Sequence, residues 1–124
     1  MKVLVAFGTT EGQTKKITKY VAEKVLGHGH EVDLYDCSRR LRGHEFGAID
    51  AVIIAASVHQ KEHQESVVAF ATAHQEDLKT KPSAFISVSL SAAFEDGKKD
   101  AMGYVERFVE ATGWQPAFVH LAGG

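Results

Sequence analysis

The apolar run Lys2-Val3-Leu4-Val5-Ala6-Phe7 passes without a spacer into Gly8-Thr9-Thr10-Glu11-Gly12-Gln13-Thr14, and from there into a segment of helical periodicity. A chain that moves from a strand through a tight turn straight into a helix has few folds open to it. The helix packs back on its strand and delivers the next strand in parallel, by a crossover. The turn also carries chemistry. The N–H groups of a first helical turn have no partner within the helix, and the positive end of the helix dipole lies at the same spot, so an anion is favoured there. Thr9, Thr10 and Thr14 add hydroxyl donors, and Gly8 and Gly12 let the backbone come close. The expectation is a phosphate cradle.

The rest of the chain follows from that unit. Ile17, Val21 and Val25 recur at i, i+4, i+8 and predict a helix over residues 13–26, stopped by Gly27 as a residue of positive φ. Gly29 keeps the next turn open. Glu31-Val32-Asp33-Leu34-Tyr35 alternates like a strand near a sheet edge. Residues 36–49 hold no sustained period and read as a loop. Asp50 to Ala56 is the most hydrophobic strand and therefore central. A polar stretch, Ser57 to His63, reads as a loop. A second helix then carries Val67, Phe70, Ala71, His74 and Leu78 on one face. Pro82 opens a fourth strand, Ser83 to Val88, and Ser89 to Gly97 is a further loop. A third helix, 98–112, places Ala101, Val105, Phe108 and Thr112 in phase, with Asp96 as its cap and Gly113 as its stop. A fifth strand covers Ala117 to Ala122.

The order β-α-β-loop-β-α-β-α-β predicts one α/β domain over residues 1–124, with an open, doubly wound parallel sheet. Ligands in such sheets bind beyond the carboxyl ends of the strands, where the strand order reverses. Three loops end there: 8–14, 57–63 and 89–97.

Composition narrows the partners. A formal net charge of −2, with Lys and Arg scattered apart from Arg39, Arg40 and Arg42, gives no footprint for nucleic acid or an anionic membrane. A single cysteine, Cys37, excludes an internal disulfide, suits a reducing compartment and reads as a small core hydrophobe. There is no signal-peptide pattern, and no apolar run approaches bilayer length, so a soluble cytoplasmic chain is expected. His59 and His63 are four apart, as a zinc pair on a helix would be, but they fall in a predicted loop without a third ligand, so no metal is expected. Trp114 reads as core packing and His74 as a histidine at the core's edge.

The turn at 8–14 is neither Gly-x-x-x-x-Gly-Lys-Ser/Thr nor Gly-x-Gly-x-x-Gly, and it brings no Lys or Arg of its own. Backbone N–H groups and threonine hydroxyls suit one terminal phosphomonoester, which fits a mononucleotide such as FMN better than ATP or NAD.

Phe-Gly-Thr-Thr-Glu-Gly-Gln-Thr after the first strand, Ala-Ala-Ser-Val at the third, Lys-Pro-Ser-Ala-Phe-Ile-Ser-Val-Ser-Leu at the fourth and Gly-Trp-Gln-Pro before the fifth resemble the flavodoxin-like family. Within it they are most similar to the menaquinone-dependent protoporphyrinogen oxidases, FMN enzymes of haem biosynthesis. The resemblance implies a sheet of order 2-1-3-4-5 with three main helices. It also implies an FMN phosphate held by Thr9, Thr10, Glu11, Gly12, Gln13 and Thr14. Ser57, Val58 and His59 would lie along the flavin ring, with Ser89, Leu90, Ser91 and Ala92 bordering its other side. No catalytic side chain is implied, because the cofactor carries the electrons.

Two departures from that family stand out. The loop after the third strand reads Gln60-Lys61-Glu62 where relatives carry glycine and aromatics, leaving Phe94 as the one aromatic available to stack on the ring. Relatives also continue past the final Ala-Gly-Gly into a further segment and a last helix beside the first. The expectation is therefore an apolar face that is exposed, covered by a missing segment, or covered by another subunit in a homo-oligomer. Three functions follow: an oxidoreductase passing electrons from a porphyrinogen to a quinone, with membrane association through a quinone-using partner or a missing segment; a flavodoxin-type carrier serving redox protein partners; or a non-catalytic flavodoxin-like fragment. The mild net charge favours the enzyme over the carrier.

Overall fold

The computed structural model describes residues 1–8, 12–37, 48–59 and 62–123. Its strands are β1 (Lys2–Phe7), β2 (Glu31–Asp36), β3 (Ala51–His59), β4 (Glu62–His63), β5 (Ser83–Ser89) and β6 (Phe118–Gly123). Its helices are α1 (Gly12–Gly27), α2 (Glu65–Ala73), α3 (Gln75–Thr80) and α4 (Lys98–Thr112). The main sheet runs β2-β1-β3-β5-β6, every pair parallel, and the two-residue β4 pairs antiparallel with β3. Without β4 this is the expected order 2-1-3-4-5. The order reverses between β1 and β3, so the ends of those two strands open a crevice.

Alternation along the strands sorts the core onto two unequal faces. Leu4, Ala6, Val52, Ile54, Ala56 and Phe85 point to the side of α2, α3 and α4, where they meet Val67, Phe70, Leu78, Val105, Phe108 and Trp114. The rings of Phe85 and Phe108 stack at 4.2 Å, 9° apart, and Trp114 meets both edge-on at 6.2 Å. Trp114 is a core residue, as its sequence context suggested. On the other face Ala55, Ile86 and Val88 form a small cluster with Ile17 and Val21 of α1 and with Phe7, Ile53 and Ala122. The edge strand β6 exposes Phe118, at 74% of its surface.

Several local expectations change. The second helix is two, α2 and α3, because His74 adopts φ −115°, ψ 21°. The hydrogen bonds His74 N–H to Phe70 O and Leu78 N–H to His74 O bridge the break, and the His74 ring rests 4.9 Å from that of Phe70. Gly27 closes α1 from inside, and the positive φ falls two residues later, at Gly29 (84°). Gly113, with φ 77°, ends α4 as expected. Asp96 does not cap α4: it lies in a short 3-10 turn, Glu95–Gly97, and Gly97 takes the cap position without a side-chain hydrogen bond. The segment 57–63 is not a plain loop. β3 continues to His59 and the chain returns as β4, with Val58 opposite His63.

The asymmetry of the core predicts unequal mutational costs. Phe108→Ala, on the helix-rich face, should lose about 3–5 kcal/mol of unfolding free energy. Phe118→Ser should stay within about 0.5 kcal/mol. Urea unfolding midpoints of the two variants check this.

Candidate functional site

The crevice is built from three strand ends. β1 pairs with β3 as far as Phe7 opposite Ala55, and Gly8 N–H still reaches Ala55 O at 3.4 Å. β3 then runs on alone on that side, through Ser57 and Val58 to His59. β5 ends at Ser89, and the chain turns twice through Ser91–Ala93 and Glu95–Gly97 before α4.

Of the residues expected to cradle a phosphate, Thr9, Thr10 and Glu11 lie outside the described residues. Gly12 and Gln13 are the first two residues of α1, and Thr14 is the third. The first turn of α1 contains no acidic residue that would compete with an anion. Thr14 is buried, at 1% exposure, and its Oγ1 has no hydrogen-bond partner among the described residues. Its backbone carbonyl accepts from Thr18 Oγ1 at 2.8 Å, which ties the first turn to the next. A buried hydroxyl without a partner is costly, by roughly 1–3 kcal/mol, unless something at the site supplies one. The other described side-chain atom of this kind, His30 Nδ1, lies just before β2, at the opposite end of the sheet.

Ser57 and Val58 are half-buried, and His59 is the last residue of β3. Ser89 is buried, and its Oγ accepts the Ala92 N–H at 3.2 Å, which holds the first of the two turns. Leu90 is 69% exposed and Phe94 58%, while Ser91 and Ala92 are half-buried. Gly97 has no room for a side chain, because a Cβ there would meet the carbonyl of Ser91. The third loop is therefore compact, and its apolar side chains Leu90 and Phe94 face outward.

Two residues behind the crevice, His63 and Gln64, are buried where a polar loop was expected. His63 turns inward: its Nε2 and Ser87 Oγ are hydrogen-bonded at 2.8 Å, and its ring meets Phe85 and Phe108 edge-on at 5.2 and 5.3 Å. It stands on β4, opposite Val58 of β3. Gln64 is buried, and its Oε1 accepts the Ser57 N–H at 3.3 Å. Gly8 is a packing glycine in this setting. A Cβ on it would collide with Gln64 Oε1 and come within 2.8 Å of Gln64 Cδ and Val67 Cγ2. The alternation Ser57-Val58-His59 was the available signal that the strand continues; nothing local marked Gln64.

Burial governs the other titratable groups nearby. Cys37, packed against the main core cluster, has its thiol pushed up to about 12, first by burial and then by the Asp36 carboxylate. It stays protonated at neutral pH and is no nucleophile. Two clefts, of about 510 and 250 Å³, lie along α4. The larger is lined by one helix only, and the smaller lies between α2 and α4 over His63, Tyr104 and Arg107. Among the described residues no group of three or more His, Cys, Asp or Glu side chains is placed to hold a metal ion, and no helix is long and apolar enough to cross a membrane.

A parallel 2-1-3-4-5 sheet with a hydroxyl-bearing helix start at its switch point defines a flavodoxin-like α/β protein. Residues 4–124 match the flavodoxin domain family, and the chain belongs to it. It is 29% identical to protoporphyrinogen IX dehydrogenase [quinone] of Escherichia coli K12 over 117 residues, 94% of this chain. It is 25% identical to the protein of that name from Leishmania major, over 99% of this chain. The chain spans 64% and 54% of the lengths of these two relatives. Among solved structures it superposes on a short-chain flavodoxin associated with a bacterial microcompartment (TM-score 0.70, 15% identity, 98% of this chain and 84% of that one). It also superposes on a Lactobacillus acidophilus flavoprotein in complex with FMN (TM-score 0.67, 12% identity, 97% and 92%).

His63 makes the fold sensitive to acid. Burial lowers its ring from the ordinary 6.5 to about 4. Its contribution is fully present above about 6.5, where the imidazole is neutral in both folded and unfolded chains, and is lost as pH falls towards 4, because the unfolded chain binds the proton first. Urea midpoints should therefore fall between pH 7 and pH 4.5, and His63→Asn should flatten that slope.

Proposed function

We propose that this chain binds FMN across the carboxyl edge of its sheet and acts as an oxidoreductase domain, taking electrons from a porphyrinogen and delivering them to a quinone. The observation that carries the cofactor part is Thr14 Oγ1, buried in the first turn of α1 without a partner among the described residues. A phosphate oxygen there would accept from that hydroxyl and from the open N–H groups of residues 12–14. Under this reading Thr9, Thr10, Glu11, Gly12, Gln13 and Thr14 hold the phosphate. Ser57, Val58 and His59 flank one side of the ring, and Ser89, Leu90, Ser91 and Ala92 the other. FMN supplies the redox chemistry when bound.

The chain's own part is to hold and orient. Ser89 Oγ fixes the Ala92 N–H, so the third loop presents a set backbone rather than an adaptable one. The outward Leu90 and Phe94 give the mouth of the crevice an apolar surface that suits the pyrrole rings of a porphyrinogen, which methylene bridges join into a puckered macrocycle. The electrons and protons that the porphyrinogen gives up would leave with the quinone as quinol. The substrate pair is supported by the similarity to the two dehydrogenases.

A flavodoxin-type electron carrier is the second reading. It is supported by the fold shared with the flavodoxins among the solved structures.

Titration of the apoprotein with FMN, followed by flavin fluorescence, tests the cofactor. Thr14→Val, of nearly the same shape, should weaken binding by about 1–3 kcal/mol, while Thr14→Ser retains it. A valine variant that binds equally well and is more stable would remove the phosphate from this hydroxyl. With FMN bound, porphyrinogen oxidation that depends on a menaquinone analogue marks the enzyme. Reduction and reoxidation by protein partners alone marks the carrier.

A further inference from the structure

β1 and β3 stop pairing at unequal lengths, and that leaves a gap in the sheet. In a parallel ladder the residue whose N–H reaches Ala55 O would also receive, on its carbonyl, the N–H of Ser57. The Ser57 N–H instead donates to the side-chain Oε1 of Gln64 at 3.3 Å. The carboxamide of Gln64 lies directly over Gly8, in the space a Cβ would need. Gln64 thus touches the last residue before the phosphate turn and the first flavin-facing residue of β3.

Its own position is set by its neighbours. His63 is fastened by Ser87 on β5 and wedged between Phe85 and Phe108. Gln64 forms the cap of α2, whose Val67 and Val68 N–H groups bond its backbone carbonyl at 3.1 Å. A side chain anchored on both sides is a rigid spacer between two loops that share no strand pairing beyond Phe7 and Ala55.

We propose that Gln64 is a positioning residue for the flavin site, a latch that sets the start of the phosphate turn against the flavin-facing end of β3. The role rests on the FMN reading above. The latch also occupies the Ser57 N–H, so on that reading Ser57 meets the flavin through its side chain and not through this donor.

The test uses the full chain. FMN affinity is measured by fluorescence titration, and the visible circular dichroism of bound flavin is recorded for the wild type, Gln64→Leu, Gln64→Glu and Gly8→Ala. The latch predicts about tenfold weaker FMN binding and an altered flavin dichroism in Gln64→Leu. Gln64→Glu keeps an acceptor at the same reach and should keep the wild-type flavin dichroism, although its charge beside the phosphate turn lowers affinity. Gly8→Ala displaces the carboxamide without removing it and should reproduce the Gln64→Leu spectrum, which covers the case in which that variant does not fold. A wild type that takes up no FMN overturns the cofactor reading and this role together. A wild type that binds, beside a folded Gln64→Leu or Gly8→Ala of equal affinity and unchanged dichroism, overturns the role alone.

Discussion

The parallel ladder through β1, β3 and β5 is the constraint on which the rest of this protein depends. Parallel strands cannot be joined by hairpins, so every connection between them must cross over, and every strand delivers its next turn to the same edge. Gly8, His59 and Ser89 meet at one end of the molecule for that reason alone. The same ladder requires both faces of the central strands to be apolar, and Val52 to Ala56 satisfies this with a run that no half-exposed strand would tolerate. Chemistry is left to residues just past the ladder's end, where backbone groups run out of strand partners.

How much of this could be read from residues varies with the range of the interactions involved. The helix at 98–112 was legible because Ala101, Val105, Phe108 and Thr112 repeat with its period and Gly113 supplies a left-handed stop. The central strands were legible from hydrophobicity and the parallel, doubly wound arrangement from the β-α alternation, while the strand order came with the resemblance to the flavodoxin-like family. The pairing of β3 with β4 was not, because the inward turn of His63 depends on Ser87 and Phe85 of β5 and Phe108 of α4, which are distant in the chain. The broken helix at His74 was missed for a related reason: the apolar stripe runs through the break in phase, and the backbone departs by one residue's dihedral angles. The hydroxyl-bearing helix start was plain in the sequence. That Thr14 would be sealed from water without a partner was not, since burial at that point is decided by strands distant in the chain.

The two faces of the sheet carry different loads. Behind β1, β3 and β5 the aromatic stack of Phe85, Phe108 and Trp114, together with the His63–Ser87 couple, forms a dense core. The other face has a small cluster under α1, with Ile53 half-buried. The tighter face also braces the crevice, because His63 leads directly into Gln64. Rigidity and site geometry are therefore supplied by the same packing, and an acid-sensitive imidazole lies within it.

Gly8 has a consequence for how mutational data on such a protein would be understood. Its missing side chain makes room for another residue's carboxamide, that of Gln64. A selection for cofactor retention would nonetheless rank the position beside the threonines of the turn, since an occupied Cβ there would push the two loops apart. Intolerance at a glycine in a phosphate turn can thus measure the thickness of what lies behind the turn, and only the direction of the vacant bond tells the two causes apart.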